Sequence, residues 1–313
     1  MKNDMVKSRG SHEAKMEKVV SVAKNLINLY AKPDPAAEVV SQALAGAPLK
    51  IEDTRDGFAY VMGEDRYCGW ADERHVTPLR SPGGTQYEVT DLIAEVWSEP
   101  QDKAEVLSKL VLSTKVFVLT ETKQNEFVQI ELPDGNGKFG WLRSKSVALP
   151  SPVMAPQEWQ EADSTRRRAI IGQLGNAAVT TALRLIGVPY LWGGCSPFGI
   201  DCSGLVQLAY KINGIQLLRD SDIQYKDRRF LEVESGKSFE QAVFKPGDIV
   251  VFGKDENYSH IGLALGDGRF VHASGRQRSF GVYVEPCSEP FYLERYAGAI
   301  RLSENANIEI ENA

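Results

Sequence analysis

The stretch Pro189-Tyr190-Leu191-Trp192-Gly193-Gly194, followed by Gly199-Ile200-Asp201-Cys202-Ser203-Gly204-Leu205-Val206, decides how this chain is read. A glycine-rich turn runs into a polar triplet, Asp-Cys-Ser, and then into an apolar run that reads as a helix ending at Asn213-Gly214, a good C-cap pair. That order sets a thiol at a helix N-terminus, where unpaired backbone N–H groups favour an anion. The position is expected to lower the thiol pKa from its free value of about 8.5, and the thiolate is the nucleophile of cysteine chemistry. Gly204 lets a ligand or another backbone approach closely.

Downstream, Lys245-Pro246-Gly247-Asp248 turns into the strand Ile249-Val250-Val251-Phe252. Two more strands, Ser259 to Leu265 and Arg269 to Ala273, flank the turn Gly266-Asp267-Gly268. They carry His260 and His272, two of only four histidines. Alternation sets His260 on a face with Gly262 and Ala264, with Ile261, Leu263 and Leu265 toward the core. A histidine among small residues has room beside it for a thiol, so His260 is the expected general base. His272 is expected to orient it by accepting from its second nitrogen, with the hairpin register open. Nucleophile, base and orienting group follow the logic of a papain-like hydrolase. Zinc ligation by Cys195, Cys202, His260 and His272 is the weaker reading, because no short ligand spacing such as Cys-x-x-Cys is present.

The wider composition excludes several classes. Net charge is -6 and the only basic run is Arg166-Arg167-Arg168, read as a solvated helix face, so no nucleic-acid partner is expected. No apolar run has the length of a membrane span, and no signal-peptide pattern is seen in the polar segment 1–18. The cysteines Cys68, Cys195, Cys202 and Cys287 are scattered, which fits a reducing compartment. A cytoplasmic location is the resulting expectation.

Ahead of the thiol lie two copies of one pattern. Leu26-Ile27-Asn28-Leu29-Tyr30-Ala31-Lys32-Pro33 is echoed by Leu92-Ile93-Ala94-Glu95-Val96-Trp97-Ser98-Glu99-Pro100, and the copies close with Gly69-Trp70 and Gly140-Trp141. Short alternating strands with polar turns predict two small duplicated β-barrels, 19–80 and 85–149. They resemble bacterial SH3-like domains. A proline-rich linker, 150–165, leads to an α+β domain over 166–303, and 304–313 reads as a frayed acidic tail.

Taken together, Pro189 to Gly194, Asp201 to Val206, Lys245 to Phe252, Ser259-His260-Ile261-Gly262 and Val271-His272-Ala273-Ser274 resemble the NlpC/p60 family of cell-wall cysteine peptidases. The resemblance implies a papain-like fold and a Cys202–His260–His272 triad, with no metal and no cofactor. The members with N-terminal SH3-like modules, which cleave γ-D-glutamyl–diamino acid bonds, are the nearest in pattern. They imply that Tyr67 of the first module closes the site and that Asp201 binds the amine of the substrate. Asp220 and Ser221 would line the diamino acid pocket, and Tyr190 would stand near the oxyanion. Ser203 and Trp192 complete the substrate-binding set. Arg66 stands before Tyr67 where acidic residues are common, which leaves Glu64 and Asp65 as options for a second acid.

The activity so implied is hydrolysis of a small peptide, L-Ala-γ-D-Glu-diamino acid, in peptidoglycan recycling. Whether the diamino acid is diaminopimelate or lysine stays open. The alternative is a peptidoglycan-binding or wall-remodelling protein that acts on intact sacculi.

Overall fold

A computed structural model describes residues 18–308 apart from 81–82, 125, 134–135, 151–154, 234–238, 241 and 277–279. The expected polar segment up to residue 17 and the end of the tail, 309–313, lie outside the described residues.

The first repeat forms seven strands: Lys18–Val22 (β1), Leu26–Tyr30 (β2), Val39–Leu44 (β3), Pro48–Arg55 (β4), Phe58–Met62 (β5), Cys68–Asp72 (β6) and Val76–Pro78 (β7). The second forms Thr85–Val89 (β8), Ile93–Trp97 (β9), Val106–Val111 (β10), Lys115–Gln124 (β11), Phe127–Glu131 (β12), Phe139–Arg143 (β13) and Val147–Ala148 (β14). The sheets run β3-β2-β6-β5-β4-β1-β7 and β10-β9-β13-β12-β11-β8-β14, the same order twice. Each closes around a small apolar core, Val22, Leu29, Leu49 and Val61 in one, Val96, Leu110, Ile130 and Leu142 in the other. The shared Gly-Trp step has a steric cause. A Cβ on Gly69 would lie 2.8 Å from Leu29 Cβ, and one on Gly140 would lie 2.5 Å from Val96 Cγ1. Only glycine lets those strands cross so closely.

The third unit is α+β. Helices Pro156–Glu161 (α1), Ser164–Arg184 (α2) and Cys202–Lys211 (α3) precede a six-stranded sheet. Between α2 and α3, Cys195–Ser196 (β15) pairs with Gly199–Ile200 (β16). A short helix, Ser221–Tyr225 (α4), leads to Phe230–Glu232 (β17), Ile249–Lys254 (β18), Asn257–Ala264 (β19), Arg269–Ser274 (β20) and Gly281–Pro286 (β21). Pro290–Leu293 (α5) and Tyr296–Leu302 (β22) complete it, in sheet order β17-β22-β18-β19-β20-β21. One sheet face packs on α2 and α3 through residues such as Leu174, Leu205, Ile261 and Val271. The other face is covered as well, by Phe239, Phe252, Phe270 and Tyr292. A strand covered on both faces reads as continuous apolar sequence, so Ile261 to Ala264 are all buried and the expected alternation is lost.

Two sequence boundaries and one surface reading need correction. Residues 156–165 of the expected linker already belong to the third unit, since Trp159 of α1 is 1 % exposed in its core. Its indole N–H donates to the Ala306 carbonyl at 2.9 Å. The tail is therefore not frayed from 304: Ala306 and Ile308 are buried beside it. Nor is the arginine run simply solvated. Arg167 lies 5.1 Å over the Trp159 ring and donates to the carbonyls of Trp159 and Glu304. Among the described residues, no helix is long and apolar enough to cross a membrane.

Trp159→Ala should remove a buried aromatic and a bond to the C-terminal segment, lowering stability by about 3–5 kcal/mol. Urea unfolding measures this directly. An unchanged midpoint would show that α1 is not part of the folded core.

Candidate active site

Helix α3 begins at the nucleophile candidate because Asp201 caps it. Asp201 Oδ1 accepts from Gly204 N at 2.7 Å and from Ser203 Oγ at 3.2 Å. Its Oδ2 accepts from Gly193 N at 2.9 Å, which ties the cap to the glycine-rich loop. Arg219, 1 % exposed, donates to Oδ1 at 3.0 Å and to Oδ2 at 2.5 Å. The free carboxylate expected for Asp201 is thus a saturated one, and a substrate ammonium would have to compete with a buried guanidinium. Ser203 is spent in the same way, since Arg219 also donates to its hydroxyl at 2.7 Å.

Cys202 is buried, with its sulfur against the backbone N–H of Ile261 on β19, one residue past His260. Strands β19 and β20 pair Leu263 with Val271 and Ala264 with Phe270. That register sets the two histidines diagonally on one face, His260 Nε2 lying 2.7 Å from His272 Nδ1. A base that faces the thiol through Nδ1 must carry its proton on Nε2, where it donates to His272. Tyr292 of α5 fixes both rings, stacked on His260 at 5.6 Å and edge-on to His272 at 4.8 Å.

Electrostatics correct a second expectation. Burial pushes the Cys202 thiol up to about 12, and the Asp201 charge adds to it. The N–H groups of Ile261 and Ser203 and the charge of Arg219 oppose this without overcoming it. His260 is pushed down to about 4, first by burial, with Arg276 acting in the same sense and Asp201 against it. His272 lies well below the usual histidine range for want of solvation, with His260 and Arg276 adding to it. Both shifts favour the thiol and the neutral imidazole over the charged pair, because burial disfavours either charge.

The first module closes one side. Gly193, at φ +77°, docks where a Cβ would lie 2.4 Å from the Val39 carbonyl of β3. Beside it, Cys195 N donates to Gln42 Oε1 at 2.9 Å, and the exposed Trp192 donates from Nε1 to Glu38 Oε1 at 2.7 Å. On the turn before β6, the half-buried Tyr67 hydroxyl is hydrogen-bonded to Asp220. Burial, then that carboxylate, raises the phenol above its usual range, so it remains a donor. Asp220 is itself raised by burial. Tyr190, on the loop before the thiol, is close enough for its hydroxyl to feel the charge on Cys202. Ser221 Oγ donates to the Tyr258 carbonyl at 2.5 Å.

Neither optional acid is free. Glu64 is paired with Lys115 and Lys211, and Asp65 accepts from Tyr67 N and Gln207 Nε2. Sequence reasoning missed Arg219, which stands directly before Asp220, and Glu38, which has no local signal at all. Among the described residues, no cluster of His, Cys, Asp or Glu has the makings of a metal site.

Comparison with known proteins gives two domain matches. A sequence model of the NlpC/P60 family matches residues 187–301, and one of the bacterial dipeptidyl-peptidase SH3 domain matches residues 29–76. The chain is 31 % identical over 283 residues to "Dipeptidyl-peptidase 6" of Lysinibacillus sphaericus, covering 88 % of this chain and 94 % of that one. It is 27 % identical over 288 residues to "Gamma-D-glutamyl-L-lysine dipeptidyl-peptidase" of Bacillus cereus, covering 85 % and 76 %. A crystal structure of an NlpC/P60 family protein from Bacillus cereus shares the fold at 21 % identity, with a TM-score of 0.70 over 91 % of this chain and 99 % of that one.

A base that stays neutral down to about pH 5 should hold kcat/KM level between pH 7 and 6, where an ordinary histidine would begin to protonate. Inactivation by iodoacetamide should keep rising through pH 9. A plateau below pH 8 would reveal a preformed thiolate–imidazolium pair and overturn this assignment of charge.

Proposed function

The chain belongs to the NlpC/P60 family of cysteine peptidases, and on that premise we propose that it hydrolyses the γ-D-glutamyl–diamino acid bond of free muropeptides with an unblocked N-terminal L-alanine. One observation carries the reading. The first module supplies Tyr67 to Asp220, next to the residue that clamps the cap of the nucleophile, so the site has a wall made by another domain. A wall of that kind supports a short free peptide as substrate over one that continues into a glycan strand beyond L-alanine.

Cys202 attacks the γ-carbonyl carbon while His260 Nδ1 takes the thiol proton. His272 holds the imidazole through Nε2 and shares the cost of its brief charge. The oxyanion is met by the backbone N–H of Cys202, with the protonated Tyr190 hydroxyl beside it. His260 then passes the proton to the leaving amine of the diamino acid, and water hydrolyses the thioester by the reverse route. Because thiol and imidazole start neutral, proton transfer accompanies attack. The chemistry uses protein groups throughout.

For the substrate ammonium we assign two carboxylates: Glu38, held by Trp192, which the sequence did not suggest, and Asp220, held by Tyr67, which the sequence reading set in the diamino acid pocket. A wall peptide still attached to glycan has its L-alanine acylated and lacks this charge. Cleavage of released fragments during peptidoglycan recycling in the cytoplasm is the corresponding role.

L-Ala-γ-D-Glu-diaminopimelate should be cleaved faster than its N-acetyl form. A hydrogen bond to a charged group contributes about 1.5–3 kcal/mol, so kcat/KM should differ by about 10–100-fold. Equal rates, or release of peptide from intact sacculi, would favour a wall-acting enzyme. Cys202→Ala should be inactive toward every peptide, and His272→Gln should retain more activity than His260→Ala.

A further inference from the structure

We propose that Arg219 is a positioning residue for the nucleophile: its buried guanidinium fixes the Asp201 cap and cancels the charge of that carboxylate beside Cys202. Four contacts support this. The fork spans both Asp201 oxygens, reaches the Ser203 hydroxyl at 2.7 Å, and lies 3.5 Å from the Gly194 carbonyl. It therefore joins the glycine-rich loop, the cap and the first turn of α3. The arginine is in turn held from α4, where Gln224 Nε2 donates to the carbonyls of Leu218, Arg219 and Ser203.

The need for such a group follows from the cap. Aspartate is a strong N-cap because its oxygen accepts from the first turn. Here it precedes the residue that must become an anion during attack. An uncompensated carboxylate at that spot opposes thiolate formation. A lysine would supply the charge, but only as a point, and would not span two oxygens and a hydroxyl. A buried ion pair of this kind adds little net stability, so its value here lies in geometry and charge. The other groups set against the thiol are Tyr190 from the loop, which is neutral, and the Ile261 N–H from β19, next in sequence to His260. Burial alone would lower the proton affinity of Arg219, but Asp201, with Asp220 in the same sense, more than offsets it, so its charge is secure.

The proposal rests on Cys202 as nucleophile and is independent of the muropeptide reading, because alkylation needs no substrate. Carboxymethylation of Cys202 by iodoacetamide is followed by peptide mass spectrometry across pH 6–10 in the full chain. Arg219→Met should slow it about tenfold at a given pH, a rise of the limb by about one unit. Removing the carboxylate as well, in Arg219→Met with Asp201→Asn, should restore the rate to within about threefold of wild type. Arg219→Lys should leave the limb in place, since the charge is kept although the fork is lost.

A limb unmoved in Arg219→Met would overturn the proposal, as would a double variant as slow as the single one, which would mean that Arg219 acts by packing alone. Should Arg219→Met fail to fold, Arg219→Lys still decides: a limb displaced upward by a unit with the charge retained contradicts the assigned role.

Discussion

The nucleophile stands where it does because five donors converge on one carboxylate. Two backbone N–H groups, one hydroxyl and a two-pronged guanidinium satisfy Asp201, and through it they hold the glycine-rich loop against the start of α3. Remove the convergence and the loop, the cap and the thiol lose their common reference. The arrangement has an energetic logic. Desolvating a carboxylate is costly, and only a full set of donors offsets that cost. Once the set is complete the group is rigid, which suits a residue beside the reacting atom.

The wall of the site comes from a different part of the chain. Gly193 can meet the β3 backbone because it has no side chain, and Gln42 and Glu38 extend the same contact to Cys195 and Trp192. On the far side, Asp65 and Glu64 reach Gln207 and Lys211, one turn apart on α3. The helix that carries the nucleophile at its first residue thus carries the anchor for the Tyr67 turn at its other end. Glu64 also reaches Lys115 in the second module, so a single carboxylate touches all three units. The nucleophile and the wall of its site are thus tied to one helix.

Much of this was legible in the sequence. The repeat, the helix after Asp201 and the hairpin with both histidines follow from local patterns of apolar spacing, glycine and turn residues. The failures share a cause. Pairing of Asp201 with Arg219, the raised thiol and the depressed imidazoles depend on burial, which is a property of the folded whole and not of a short window. Glu38 meets Trp192 across 154 positions, and Trp159 meets Ala306 across 147. Contacts at such separations leave no mark on spacing. The helix-terminus argument for a reactive thiol was sound in kind, yet it weighed one favourable effect without the larger unfavourable one.

The bond from Trp159 to Ala306 has a meaning beyond stability. It brings the point where the chain enters the peptidase unit next to the point where it leaves. A unit whose two ends emerge together behaves as a cassette: it can be attached to, or inserted among, other modules without strain on its interior. The paired barrels with one strand order are the duplicated modules upstream, and the adjoining ends of the peptidase unit suit it to such attachment. Selectivity could then be built by accretion, with a new wall laid against an old nucleophile.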